Sequence, residues 1–161
     1  LRLGNSPITP QKQLKAMQEK IISSRIDNKN VIYALDWLIK NVDELNYSDF
    51  VVCHSDVHHN NWIMCDDQLY LIDWDGAVIS DPAIDLAPIL YLYVQREDWD
   101  AWLKEYDIAL THSLLVRLQW YMVVHCIDNI FWFWNKQDED EVAKWQERIN
   151  DVIHESIHSN L

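Results

Sequence analysis

With 161 residues, 49% of them apolar and 12% aromatic, the chain has the size of one domain and the means to bury a core, which excludes a disordered polypeptide. A formal net charge of −13 excludes a nucleic-acid partner, because phosphate backbones select basic surfaces; it fits a solvated acidic surface, a cationic small molecule, or an anionic substrate reached through metal ions. Cys53, Cys65 and Cys126 form no CxxC pair, and no signal segment or membrane-length apolar run is present, so a disulfide framework, a structural zinc site and a membrane span are all excluded and a cytoplasmic setting is expected.

Residues 1 to 10, with Pro7, Thr9 and Pro10, lead into a helix over 11–26, where Leu14, Met17, Ile21 and Ile22 recur at helical spacing. A second helix over 30–42 repeats Val31, Leu35, Leu38 and Val42. From Phe50 the pattern changes. "FVVCH" is a short β-branched run, and residues 61–80 read as two strands around an Asp66-Asp67 turn, with Ile63 and Met64 on one side and Leu69, Leu71 and Ile72 on the other. Next, "SDPAIDLAPILYLYV" starts a helix with Asp81 as N-cap and Pro82 at the first helical position, and Pro88 is expected to kink it. Helices are expected over 96–109, 112–135 and 138–158. The layout is mostly α with a small β element (α+β), read as a single domain over 1–161.

The chemistry concentrates in "CHSDVHHNNW", residues 53–62. Three readings compete. His54, Asp56, His58 and His59 could ligate a hydrolytic metal, with Asp73, Asp75 and Asp81 as further ligands. His54-Ser55-Asp56 contains the residue types of a catalytic triad, but neighbours on an extended segment point to opposite faces. His54-x-Asp56-x-x-x-x-Asn61 has the spacing of a phosphoryl-transfer loop, in which an aspartate aligns the attacking hydroxyl and an asparagine returns an oxygen to magnesium. That scheme demands a second acidic residue after a short hairpin. "LYLIDWDG" supplies Asp73 at the end of an apolar strand, and this second match ranks phosphoryl transfer first. Gly4 and Gly76 are the only glycines, so no glycine-rich phosphate cradle can be written within the chain.

"HSDVHHNNW" followed by "LYLIDWDGAVISDPAIDLA" resembles the phosphotransferase family that includes aminoglycoside phosphotransferases, choline and ethanolamine kinases and bacterial thiamine-kinase-like proteins, most closely over residues 50 to about 90. The resemblance implies a protein-kinase-like C-terminal lobe, ATP as co-substrate and Mg²⁺ as cofactor. It implies that Asp56 is the catalytic base, that Asn61 and Asp73 hold the metal, that His54 braces the loop, and that Asp85 holds the loop by hydrogen bonds. Asp75 is assigned to solvent. Ser55 stands where the family pattern has glycine, which requires ordinary backbone dihedrals at that position; His59-Asn60 replaces the common Pro-Gly, which lets His58 or His59 reach the phosphates.

Family members also carry an N-terminal β lobe that covers the nucleotide. Residues 10 to 42 read as helical and the chain opens on Leu1 rather than methionine, so the sequence reads as the C-terminal lobe of a longer product, inactive or slow by itself. The acceptor is expected to be a small amine alcohol of choline, ethanolamine, thiamine or aminosugar type, held by Trp120, Tyr121, Asp128 and Trp132 through cation–π attraction and charge; aromatics at this spacing also fill cores. A catalytically dead binding module and a metal-dependent hydrolase are the alternatives.

Overall fold

Most of the chain is helical, and the helices begin and end at side chains suited to that task. The structure is a computed structural model describing residues 6–24 and 26–155. Helix α1 spans Pro10–Ser24 and α2 spans Lys29–Asn41; strands β1 (Val51–Cys53), β2 (Trp62–Cys65), β3 (Gln68–Leu71) and β4 (Val78–Ser80) follow, then α3 (Ala83–Tyr93), α4 (Trp99–Lys104), α5 (His112–Asn135) and α6 (Glu139–His154). No helix among the described residues is long and apolar enough to cross a membrane. By its contacts the chain divides into two compact units. One comprises the described residues up to Thr9 with Tyr47–Leu110; the other comprises Pro10–Asn46 with the described residues from Thr111 onward.

The helical unit is organised on α5. Thr111 caps it by accepting the Leu114 N–H, and Asn28 caps α2 by accepting from Asn30 and Val31. A helix apolar on all sides must be enclosed, and α5 buries Leu118, Trp120, Met122, Val123, Ile127 and Ile130 completely. From α2 come Val31, Ala34 and Leu38, and from α6 Ile149 and Val152. Two buried polar ties fix the arrangement. The Trp120 indole N–H donates to the Leu38 carbonyl at 3.1 Å, and Gln119 Nε2 donates to the Val152 carbonyl at 2.6 Å. The turn out of α5 places Gln137 in the left-handed region (φ 59°), with Gln137 N donating to Trp134 O and Asp138 N to Phe133 O, the bonding pattern of a Schellman motif. Asp138 then caps α6, whose first turn holds Glu139, Asp140 and Glu141 against the positive end of the helix dipole.

Three expected details differ. In α1 the core positions are Leu14 and Met17, while Ile22 faces solvent, and in α2 Ala34 takes the fully buried place next to the half-buried Leu35. Helix α1 ends at Ser24, and Ile26 is buried outside any helix; the expected end of the last helix, beyond residue 155, lies outside the described residues.

In the other unit, β2 and β3 pair antiparallel from Trp62 with Leu71 to Cys65 with Gln68. Asp66 and Asp67 both have positive φ (48° and 59°), the condition for the tight turn whose twist matches a hairpin. Strand β4, not anticipated from sequence, pairs antiparallel with β1 from Val51–Ser80 to Cys53–Val78. Beside it, Ile8 N donates to Ile79 O and Ser80 Oγ donates to Ile8 O, both at 2.8 Å. Asp81 Oδ1 accepts the Ala83 N–H at 2.9 Å and starts α3. That helix continues through Pro88 to Tyr93, although proline has no N–H to offer the preceding turn. The helix expected over 96–109 is a 3₁₀ turn at Arg96–Asp98 and the short α4, closed by a second Schellman-type turn at Asp107 (φ 57°).

Replacing Trp120 by Ala leaves a cavity in the α5 core and an unpaired Leu38 carbonyl. The expected loss is about 3–5 kcal/mol of unfolding free energy, read from urea titration of the helical signal; a loss within experimental error of zero contradicts the packing described.

Candidate active site

Helix α3 holds the polar loop at both ends. From its first turn, Asp85 accepts the backbone N–H of His54 through Oδ2 and of Ser55 through Oδ1, each at 2.7 Å. From its last residue, Tyr93 Oη accepts the His59 N–H at 3.3 Å. Burial raises the Asp85 pKa above its ordinary 3.8, outweighing the two N–H groups that pull it down.

His54 is fully buried and joins the loop to the end of β3. Its Nε2 donates to the Ile72 carbonyl at 2.7 Å, and its Nδ1 accepts the Asp56 N–H at 3.3 Å. This pairing puts the ring proton on Nε2 and uses both nitrogens. The edge of the ring meets Trp74, with centroids 4.9 Å apart. On its other side the Ile72 peptide donates N–H to the Asn61 carbonyl at 2.9 Å. Both backbone groups of Ile72, the residue immediately before Asp73, are therefore held, its C=O by His54 and its N–H by Asn61, from the two ends of the loop.

Asp56 is 60% exposed along its side chain. Asn61, only 7% exposed, turns its Nδ2 toward Asp56, donating to the backbone carbonyl at 2.9 Å and reaching Oδ2 at 3.3 Å. His58 Nε2 lies 3.5 Å from the same Oδ2 while its Nδ1 accepts the Asn60 N–H. With its nitrogen committed to Asp56, Asn61 presents Oδ1 without a hydrogen bond from any described residue. Asp73 is exposed and in the left-handed region (φ 62°), and Asp75 is also exposed. The donor set offered by Asn61 Oδ1 and the Asp73 carboxylate is all oxygen, which fits magnesium.

The same geometry weakens the zinc reading of this loop. His54 has no ring nitrogen left for a metal. Among the described residues no three His, Cys, Asp or Glu side chains are grouped to hold one. The Cys53 thiol is buried, and desolvation pushes its pKa up to about 12, so it stays protonated and unreactive near neutral pH.

Ser55 departs from expectation. Its φ is 66°, not the ordinary dihedral that a serine in place of glycine was expected to need, and a left-handed conformation costs a residue with a Cβ roughly 1–2 kcal/mol. Its hydroxyl donates to the Gly76 carbonyl at 2.6 Å.

The four residues picked for cation binding all lie on α5. Trp120 and Tyr121 are buried in the core and supply packing rather than a face open to a ligand. Asp128 pairs with Lys20 at 2.5 Å. Trp132 is 60% exposed, with Lys136 Nζ 4.3 Å from its ring centroid. Ile72 and Gly76, which accept from the loop, lie inside the LYLIDWDG segment, whose spacing assigns them no role, and Tyr93 carries no motif, distinguished only by lying two helical turns beyond Asp85, on the same face.

Residues 7–121 match the model of the phosphotransferase enzyme family. The chain belongs to that family. Among its relatives in sequence is protein LicA of Haemophilus influenzae, 25% identical over 138 residues, covering 73% of this chain and 39% of LicA; LicA of strain KW20 is 25% identical over 137 residues, with 49% of its length covered. The chain thus spans half or less of the relatives it matches. Two solved structures share its fold: a macrolide 2'-phosphotransferase type I (TM-score 0.62, 18% identity, 88% of this chain and 49% of that one), and a spectinomycin phosphotransferase in complex with ADP and spectinomycin (TM-score 0.57, 17% identity, 94% and 50%). The fold is that of a mostly helical, kinase-like phosphotransferase lobe.

Because burial raises the Asp85 pKa, folding favours its protonated form. The stability it contributes is complete below its ordinary 3.8 and is lost as pH rises through the higher folded value. Asp85→Asn abolishes this titration. Urea unfolding of both proteins across pH is expected to show the wild-type minus variant stability falling as pH rises above that ordinary value, then levelling; a difference that grows with pH contradicts the assignment.

Proposed function

We propose that the full-length protein is an ATP- and Mg²⁺-dependent phosphotransferase that acts on the hydroxyl of a small amine alcohol, of choline, ethanolamine, thiamine or aminosugar type. The observation that carries this reading is the orientation of Asn61: its Nδ2 donates to the Asp56 carbonyl and reaches Asp56 Oδ2, which leaves Oδ1 without a hydrogen bond from a described residue, while its backbone carbonyl accepts the N–H of Ile72, the residue before the exposed Asp73. Asp56 takes the hydroxyl proton as the acceptor oxygen bonds to the terminal phosphorus and the bond from that phosphorus to the ADP oxygen breaks. Asn61 Oδ1 and the Asp73 carboxylate would hold Mg²⁺, which when bound neutralises charge on the phosphate oxygens. His54 and Asp85 do no chemistry in this scheme; they hold the loop so that Asp56 needs little reorganisation at the moment of transfer. The net charge of −13 supports a cationic acceptor over an anionic one, and three free cysteines suit the reducing compartment where ATP is available.

The reading places the nucleotide-covering lobe in a part of the polypeptide outside this sequence. The 161-residue chain assayed alone is then expected to release ADP far more slowly than the full-length protein, and equal rates would refute the division of labour.

The decisive experiment is ADP release by the full-length protein across a panel of amine alcohols. Asp56→Ala is expected to lower kcat by about 10²–10⁴-fold, the usual contribution of a positioned base, and Asp73→Ala to lower the rate and raise the Mg²⁺ concentration needed for half of it. If both variants fold and both turn over every acceptor at the parental rate, the proposal fails. Should the parent bind Mg²⁺-nucleotide and phosphorylate nothing, a binding module replaces the enzyme.

A further inference from the structure

We infer that Ser55 is a positioning residue: its hydroxyl ties the loop that carries Asp56 to the turn that follows Asp73. The inference rests on the proposed roles of Asp56 and Asp73 and assigns a task to a side chain between His54 and Asp56 that the transfer chemistry itself does not use.

Three observations converge. Ser55 is in the left-handed region (φ 66°), where glycine would sit without strain, so whatever favours serine here offsets a conformational cost. Its backbone N–H is already held by Asp85, which a glycine would satisfy equally. The group that glycine lacks is the hydroxyl, and it makes a 2.6 Å hydrogen bond to the Gly76 carbonyl. A Cβ placed on Gly76 would lie 3.4 Å from that hydroxyl oxygen, so the two residues are in contact as well as bonded.

Gly76 closes the 3₁₀ turn Trp74–Gly76, and Asp73 stands immediately before it. The turn is thereby held at both ends by consecutive loop residues. His54 contacts the Trp74 ring at its start, and Ser55 bonds to Gly76 at its end. Together with the Ile72 backbone, whose C=O is held by His54 and whose N–H is held by Asn61, these ties bracket Asp73, which is itself left-handed and has no hydrogen bond from a described side chain to orient it. A carboxylate whose backbone is bracketed can meet a metal with little loss of freedom; one bracketed on a single side cannot.

Ser55→Gly and Ser55→Ala separate positioning from stability, because both remove the hydroxyl while only glycine relieves the backbone strain. In the full-length protein, Mn²⁺ is used as the paramagnetic probe, titrated in the presence of ADP, beside steady-state kinetics and thermal unfolding. Both variants are expected to weaken Mn²⁺ binding and lower kcat by about 10-fold or more, the usual effect of losing an outer-shell partner, with the alcohol KM unchanged. The glycine variant should melt no lower than the alanine variant. If metal binding and kcat instead follow stability, with Ser55→Gly at parental values and Ser55→Ala impaired, the inference is overturned. Asp73→Ala is the control: Mn²⁺ binding that survives it sinks the proposed metal site itself, whereas binding lost in Asp73→Ala and intact in both Ser55 variants sinks only the role of Ser55.

Discussion

The site depends on one buried carboxylate. Asp85 sits at the start of α3 and accepts two backbone N–H groups from the loop at 2.7 Å each. Hydrogen bonds to a charged acceptor contribute about 1.5–3 kcal/mol apiece, which opposes the desolvation that raises the Asp85 pKa. Everything beyond it is anchored in sequence. Fixing the His54 amide sets the imidazole, the imidazole fixes the Ile72 carbonyl, and the Ile72 peptide sets the backbone entering Asp73. The motif spacing that separates Asp85 from His54 by 31 residues is thus a record of one three-dimensional contact.

A second constraint is the scarcity of glycine. The chain has two glycines, and among the described residues every positive φ belongs to another residue: Ser55, Asp66, Asp67, Asp73, Asp107 and Gln137. Aspartate tolerates the left-handed region better than most residues because its short side chain bonds locally. The acidic composition is therefore partly conformational. The same residue type that gives the chain its charge also turns its hairpin, closes α4 and shapes the site at Asp73.

Much of this was legible in the sequence, and what was not has a physical reason. Asp56, Asn61 and Asp73 could be singled out because phosphoryl-transfer chemistry asks for such side chains at such spacings, whereas Asp85 could be named only through the family resemblance of its DPAIDLA segment, and its bonds to the loop are what the structure adds. The β2–β3 hairpin could be named because Asp66-Asp67 between apolar runs is a local turn signal. Strand β4 escaped because three residues carry too little pattern and its partner strand is distant in sequence, with Ile79 paired to Val52. The aromatic run of α5 misled in part, since periodicity shows that Trp120 and Tyr121 share a helix but not that the helix is enclosed on nearly every side. Ser55 misled for a different reason: backbone dihedrals are set by what the neighbours hold, here Asp85 and Gly76, and no spacing in the chain announces them.

The β2–β3 hairpin has a practical corollary. Ile63, Met64, Leu69 and Tyr70 are all largely exposed, Met64 at 65%, on a two-stranded sheet whose outer edges offer unpaired backbone groups. Such ribbons adhere to one another through edge pairing and apolar contact. Opposing this is the like-charge repulsion of a chain at −13, which salt screens and acid removes. Colloidal behaviour of the isolated polypeptide is accordingly governed by ionic strength and pH as much as by its folding free energy, and low salt at neutral pH is the regime in which it stays dispersed.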